Sequence, residues 1–265
     1  MTSLDELLAF LGRGKVYDLG VPLEAGIPHG PSHSPYLYSL IKKHGQVVYR
    51  DGVSSATDLF SMGTHVGTHI DALGHVSKGG CLYGHIEAEA VQSFHGGMAR
   101  CGAHELPPIV GRGVLLDMPR LLGCGILEAD CGIGPEELEK AYREQGIAPL
   151  PGDTVLIRTG WMQHWPDHER FHANLCPGVV LEGARWLGDQ GTRYVGSDTY
   201  AFEKVPASGL PVHVAMLVER GIPIIEMLDL EALARDGVHA FLFIALPLKI
   251  VGGTGSPIRP VAIAQ

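Results

Sequence analysis

Cysteine is scarce, at five residues in 265, and the number is odd. The five do not fall into the close pairs of a zinc ribbon, and an odd set argues against a disulfide framework. Basic residues are also in deficit, with 20 Lys and Arg against 29 Asp and Glu, a formal charge of −9. Such a chain is a poor partner for nucleic acid. No run approaches the ~18 consecutive apolar residues that a membrane span requires. The N-terminus, M-T-S-L-D-E-L-L-A-F-L, has no basic segment and does not read as a secretion signal. Together these absences point to a cytoplasmic protein. No linker, repeat or low-complexity segment divides the chain. Residues 1–265 therefore read as one domain, with ample length for a core.

What the chain does have is a dense run of potential ligands, Thr64 to His75, T-H-V-G-T-H-I-D-A-L-G-H. His65, His69, Asp71 and His75 all offer lone pairs to a metal when imidazole is neutral and carboxylate ionised. In a strand His65 and His69 would lie roughly 13 Å apart, too far to share an ion. A helix would bring them together, but Gly67, Gly74 and four β-branched residues make a poor helix. A bend at Gly67 resolves the conflict, because glycine turns where other residues cannot. His65 then swings back toward His69 and Asp71, which share one face of a strand.

The pattern H-x-G-T-H-x-D-x-x-x-H resembles the signature of the cyclase family of metal-dependent hydrolases. That family includes kynurenine formamidase, isatin hydrolase and a trans-dienelactone hydrolase. Further blocks, such as D-L-G-V-P-L, G-V-L-L-D, P-G-D-T-V-L-I-R-T-G-W and A-L-P-L-K-I-V-G-G-T-G-S-P-I-R-P, resemble family blocks in the family's order. One departure is Leu73, where members often carry proline. The resemblance implies a single-domain α/β protein with a mixed sheet, the swivelling β/β/α fold of the family. It implies that His65, His69 and Asp71 hold one divalent metal, Zn or Mn. It further implies that His75, His213 and Glu226 hold a second, with Asp71 shared, or that these groups act directly where only one metal binds.

A divalent ion with an open position lowers the pKa of its water to about 7 and polarises a carbonyl. The expected reaction is attack of metal-bound hydroxide on an amide or lactone of a small, cyclic or aromatic substrate. His75, then Glu226, are the candidates for moving the proton. The family also suggests a homodimer or homotetramer. Two rivals use the same residues differently. A non-haem iron oxygenase would employ His69, Asp71 and His213 as a 2-His-1-carboxylate triad, usually on an all-β barrel. A non-enzymatic binding protein would hold a closed structural metal site.

Elsewhere, helices are expected at Leu4–Leu11, Pro135–Gly146, Pro177–Gly191 and Pro211–Gly221. Strands are expected at Lys15–Val21, Gln46–Arg50, just before Ser61, and at Gly113–Asp117, Asp153–Thr159, Tyr194–Ser197, Ile222–Glu226 and His239–Leu248, with a closing strand in the tail. His29 and His33 read as solvated loop residues. Asp198 suits a pocket lining or a turn equally well. Trp161, His164 and Trp165 suit either a substrate wall or plain core.

Overall fold

The computed structural model describes residues 3–265. Helix α1 (Leu4–Arg13) opens with a capping box between Ser3 and Glu6. Strand β1 (Lys15–Asp18) follows. Strands β2 (Leu37–Lys42) and β3 (Thr57–Ser61) form a separate two-stranded ribbon. Strand β4 (His69–Asp71) carries the metal motif. The centre of the fold is β5 (Ile109–Asp117), α2 (Pro135–Glu144), β6 (Thr154–Arg158), α3 (Leu181–Asp189) and β7 (Tyr194–Ser197). Then come α4 (Pro211–His213), β8 (Ile224–Glu226), α5 (Glu231–Arg235), β9 (Ala240–Ala245), β10 (Gly255–Pro257) and β11 (Val261–Ala264).

Nine of these strands make one mixed sheet in the order β1-β11-β9-β5-β6-β7-β8-β4-β10. Its middle, β5 to β8, is parallel and joined by helices, while both flanks are antiparallel. Parallel strands covered on both faces need apolar side chains on both. Val114, Leu116, Val155, Ile157 and Val195 pack under Leu138, Ala141, Ala184, Leu187 and Met216 of the helical layer. The alternate residues Leu115, Leu156 and Ile225 point the other way, into a core with Tyr17, Leu230, Phe241 and Phe243. The expected α/β architecture with a mixed sheet is the observed one. Helices between strands also set it apart from the all-β barrel expected of the oxygenase rival.

Local differences have physical causes. The helix expected from Pro177 begins at Leu181, because Gly178 and Val179 first pair with Gly132 and Ile133. The strand expected at Gln46–Arg50 is the turn region of the β2–β3 ribbon, with only a bridge from Val48 to Ser54. The helix starting at Pro211 widens into π-type turns over Val214–Arg220. No described helix is long and apolar enough to cross a membrane.

Candidate metal centre

The site is assembled by strand register. His69 and Asp71 are two apart on β4, so their side chains share a face. The antiparallel ladder sets Glu226 of β8 opposite His69, which brings a third ligand-type group to the same face. Gly67 carries a φ of +65°, in the left-handed region, and supplies the bend that returns His65 to the cluster. His65 Nδ1 lies 2.6 Å from Asp71 Oδ1. The loop after β7 delivers Glu203, and α4 delivers His213, whose Nε2 stands 3.2 Å from Glu226 Oε1 and 3.7 Å from Asp71 Oδ2.

Two groups of three result: His65, His69 and Asp71, and Asp71, His213 and Glu226. All five residues are buried. Asp71 belongs to both groups, and its two oxygens are divided between them. Oδ1 faces His65 and His69. Oδ2 faces His75 and His213 and has no hydrogen-bond partner, although it is fully buried. A buried carboxylate oxygen left unpaired is costly, and a cation in its place would relieve that cost. The donor set of imidazoles and carboxylates fits a divalent ion of the Zn or Mn type.

Each imidazole is held by its far nitrogen. His69 Nδ1 donates to the Gly67 carbonyl at 2.8 Å, which leaves Nε2 facing Asp71 and Glu226, each at 3.5 Å. His213 Nδ1 donates to Glu203 Oε1 at 2.5 Å, which turns its Nε2 inward. For His65 the far nitrogen is Nε2, 2.9 Å from Thr254 Oγ1. Such partners fix tautomer and ring orientation for metal ligation. Glu226 Oε1 in turn accepts the Phe202 amide at 2.8 Å.

The electrostatics are those of an ion site. Burial pushes His65 down to about 4, against its Asp71 partner. Burial also opposes charge on His69 and His213, but the carboxylates around them win and hold both up, His69 to about 10. Burial would raise Asp71 and Glu226, yet the surrounding imidazoles hold both down, Glu226 to about 2. Both carboxylates are thus held anionic although buried.

His75 stands at the edge of this centre. Its ring stacks on His65 at 3.9 Å, its Nε2 is 4.0 Å from Asp71 Oδ2, and it is about one-quarter exposed. The structure brings the other five expected residues into the two groups and leaves His75 as the window between them and solvent. His33 departs from its expected solvated position. Its ring lies 5.1 Å from His65 and 6.4 Å from His75. The cause is a backbone bond from Gly63 to the Ser34 carbonyl, which pins the loop beside the metal stretch.

Glu203, Phe202 and Thr254 carry no signal in the sequence, since none sits at a telling spacing from its partner. Asp198 resolves as a structural residue. It is fully buried and accepts from Thr159 N, Thr159 Oγ1 and Gly160 N. Trp161 is core and donates Nε1–H to the Phe171 carbonyl.

Known proteins resemble this chain along nearly its whole length. Kynurenine formamidase of Sphingopyxis alaskensis is 25% identical over 252 residues, 93% of this chain and 97% of that protein. A crystal structure described as a novel cyclase superposes with a TM-score of 0.88 at 29% identity, covering 97% of this chain and 89% of the other. Isatin hydrolase A of Ralstonia solanacearum shares the fold, with a TM-score of 0.77 at 23% identity, over 100% of this chain and 98% of that one. The family model named Cyclase, described as putative cyclase, matches residues 17–204, well over half the chain, and the protein therefore belongs to the cyclase family.

Proposed function

We propose that the chain is a metal-dependent hydrolase that opens or cleaves an amide or lactone bond in a small, cyclic or aromatic substrate. Residues 1–265 act as one catalytic domain, in the cytoplasm, as a homodimer or homotetramer. The observation that carries this reading is Asp71, a buried carboxylate whose two oxygens face two separate sets of ligands. The relatives named above, a kynurenine formamidase and an isatin hydrolase, both hydrolyse a carbon–nitrogen bond.

In this reading His65, His69 and Asp71 would hold one ion, and Asp71, His213 and Glu226 would hold a second, while His75 borders both groups of ligands. A Zn or Mn ion, when bound, would supply Lewis-acid polarisation of the carbonyl and would acidify the attacking water. The remaining work falls to side chains. His75 is the exposed imidazole at the mouth, and its Nε2 takes the proton of the attacking water and returns one to the leaving nitrogen or oxygen. Glu226 is the second candidate, but its Oε1 already accepts from Phe202, which favours a holding role. The buried walls exclude water from the carboxylates and keep the imidazoles oriented.

The deciding experiment is elemental analysis of protein purified without added metal or chelator, coupled to hydrolysis of an N-formyl arylamine and of a cyclic lactam. Near two equivalents of one ion, with turnover lost to chelator and regained with Zn or Mn, is the expected result. Near one equivalent frees His213 and Glu226 to join His75 in direct acid–base roles. Zero equivalents with no metal-restored activity sinks the proposal. Metal retained without any turnover would favour a binding protein.

A further inference from the structure

His65, His69, Asp71, Glu203, His213 and Glu226 are all buried. Two imidazoles beside them are not. His75 is about one-quarter exposed, and His33 is half-buried. Their ring centroids lie 6.4 Å apart. His65 stands between them, 3.9 Å from His75 and 5.1 Å from His33. These distances make a near right angle at His65, so the two outer rings bracket that corner. A molecule arriving from solvent meets both before it meets a buried ligand.

The His33 ring is fixed in place without using its nitrogens. The backbone N–H of His33 donates to the Gly30 carbonyl at 2.9 Å, and the Ser34 carbonyl accepts from Gly63 at 2.9 Å. The ring lies against Gly30, where a Cβ would stand 2.8 Å from His33 Cδ2. Pro31 and Pro35, two residues to either side, restrict the loop further. Yet among the described residues neither ring nitrogen of His33 has a hydrogen-bond partner. His65, His69 and His213 are each held from behind, by Thr254, Gly67 and Glu203. Even His29, in the same loop, has its Nδ1 at 3.1 Å from the Gly30 carbonyl. An imidazole that serves the fold is bonded to it. One that is held by its backbone and left free at its nitrogens suits a ligand.

We propose that His33 is a substrate-binding residue, whose imidazole N–H donates to an acceptor atom that the substrate carries beside its scissile bond. This rests on the hydrolase reading above and divides the labour within it: His75 moves the proton, and His33 selects and orients. A ring nitrogen reaches roughly 2.9 Å to its partner, so at the separation of these rings both can touch neighbouring atoms of one small flat molecule. In either neutral tautomer His33 offers one N–H. A site that bonds a polar atom of its substrate discriminates against the analogue that lacks it.

Two probes of equal size test this on the whole chain loaded with Zn. N-formyl-2-aminoacetophenone carries a ketone beside the formamide, and N-formyl-2-isopropenylaniline has a methylene in place of that oxygen. Wild type should favour the ketone about tenfold in kcat/KM, through KM. His33→Phe keeps a flat ring without a donor and should close the gap. His33→Gln, which restores an N–H, should reopen it in part. Metal content and melting should match wild type in both variants. A His33→Phe variant that slows both probes by one factor, acts on kcat alone or loses metal makes His33 a structural support and overturns the proposal. A wild type without preference overturns it too. If loaded wild type turns over neither probe, the hydrolase reading fails, and calorimetry with 2-aminoacetophenone and 2-isopropenylaniline decides His33 separately. Tighter binding of the ketone, lost in His33→Phe, upholds the donor. Equal binding, or none, overturns it.

Discussion

Replacing Glu203 with glutamine should weaken metal binding without touching a ligand. Glu203 is buried, with Oε1 accepting from His213 Nδ1 and Oε2 accepting from the Val212 amide. Both neighbours donate, so both oxygens are needed. Glutamine offers one oxygen and one NH₂ group. If the oxygen serves Val212, the NH₂ faces His213 Nδ1 and forces that nitrogen to accept. The imidazole proton then moves to Nε2, the atom aimed at Asp71 and Glu226, and the lone pair needed for a metal is lost. If the oxygen serves His213, a buried amide donor on Val212 meets another donor, at a cost of about 1–3 kcal/mol. Loss of such an orienting partner typically costs 10–100-fold in affinity, or about 1.4–2.8 kcal/mol. Titration of metal-stripped protein with Zn against a chromophoric chelator reads this directly. One of two tight sites should weaken by that factor, while the His65–His69–Asp71 site changes little. Equal affinity at both sites in wild type and Glu203→Gln would refute the claim that Glu203 sets the His213 tautomer.

Gly67→Ala should cost about 1–2 kcal/mol from the left-handed φ alone. Its new Cβ would also lie 2.6 Å from Leu23 Cδ2, so urea unfolding and metal affinity should both fall. Arg158→Met should destabilise by about 3–5 kcal/mol. It strips buried Asp117 of its partner at 2.8 Å and breaks the two-bonded pair with Glu231; a loss under 1 kcal/mol by urea unfolding would contradict that. Burial pushes Asp198 up to about 6 despite its three donors. A folded pKa above the unfolded one means stability present at low pH is lost as pH rises through about 6. Relative to wild type, Asp198→Asn should therefore gain about 1.4 kcal/mol between pH 5 and pH 8, and a flat difference in chemical unfolding would count against it. Buried Cys176, with its thiol pushed up to about 12 by burial, should resist alkylation in the folded state while exposed Cys124 reacts.

Much of the centre was legible because it is local. Four potential ligands within eleven residues, interrupted by a glycine, allow few geometries, and the bend at Gly67 is the one observed. The parallel strands were legible for a similar reason: D-T-V-L-I-R and G-V-L-L-D are short apolar runs between helical segments. His213 and Glu226 were another matter. Thirteen residues apart, they have no local relation, and only the resemblance joined them. The structure supplies the missing link in the register of β4 against β8. Glu203, Thr254 and His33 reach the site through the fold of long loops, so no spacing announces them. The β2 strand carries no strand signal because L-Y-S-L-I-K does not alternate. Alternation arises when one face is buried and the other wet, and this ribbon exposes apolar groups on both.

Register also explains why the site tolerates so much buried charge. A one-residue slip of β4 against β8 would turn Ile70 toward the helices' side of the site and carry His69 and Asp71 away. The slip is blocked on both edges, since β4 is clamped between β8 and β10, and Ile70 is locked into the core with Ile225. The hydrophobic core thus supplies the free energy that forces Asp71 and Glu226 together in a buried space. Their charge must be met there. Protons on His69 and His213, both held above the ordinary imidazole range, can meet it, and so can a divalent ion. The two compete for the same nitrogens, so metal uptake must expel protons. In a site built by packing, with its imidazoles oriented from behind by Gly67, Glu203 and Thr254, the lone pairs freed when those protons leave all face Asp71, so an ion that takes their place needs no rearrangement of the side chains.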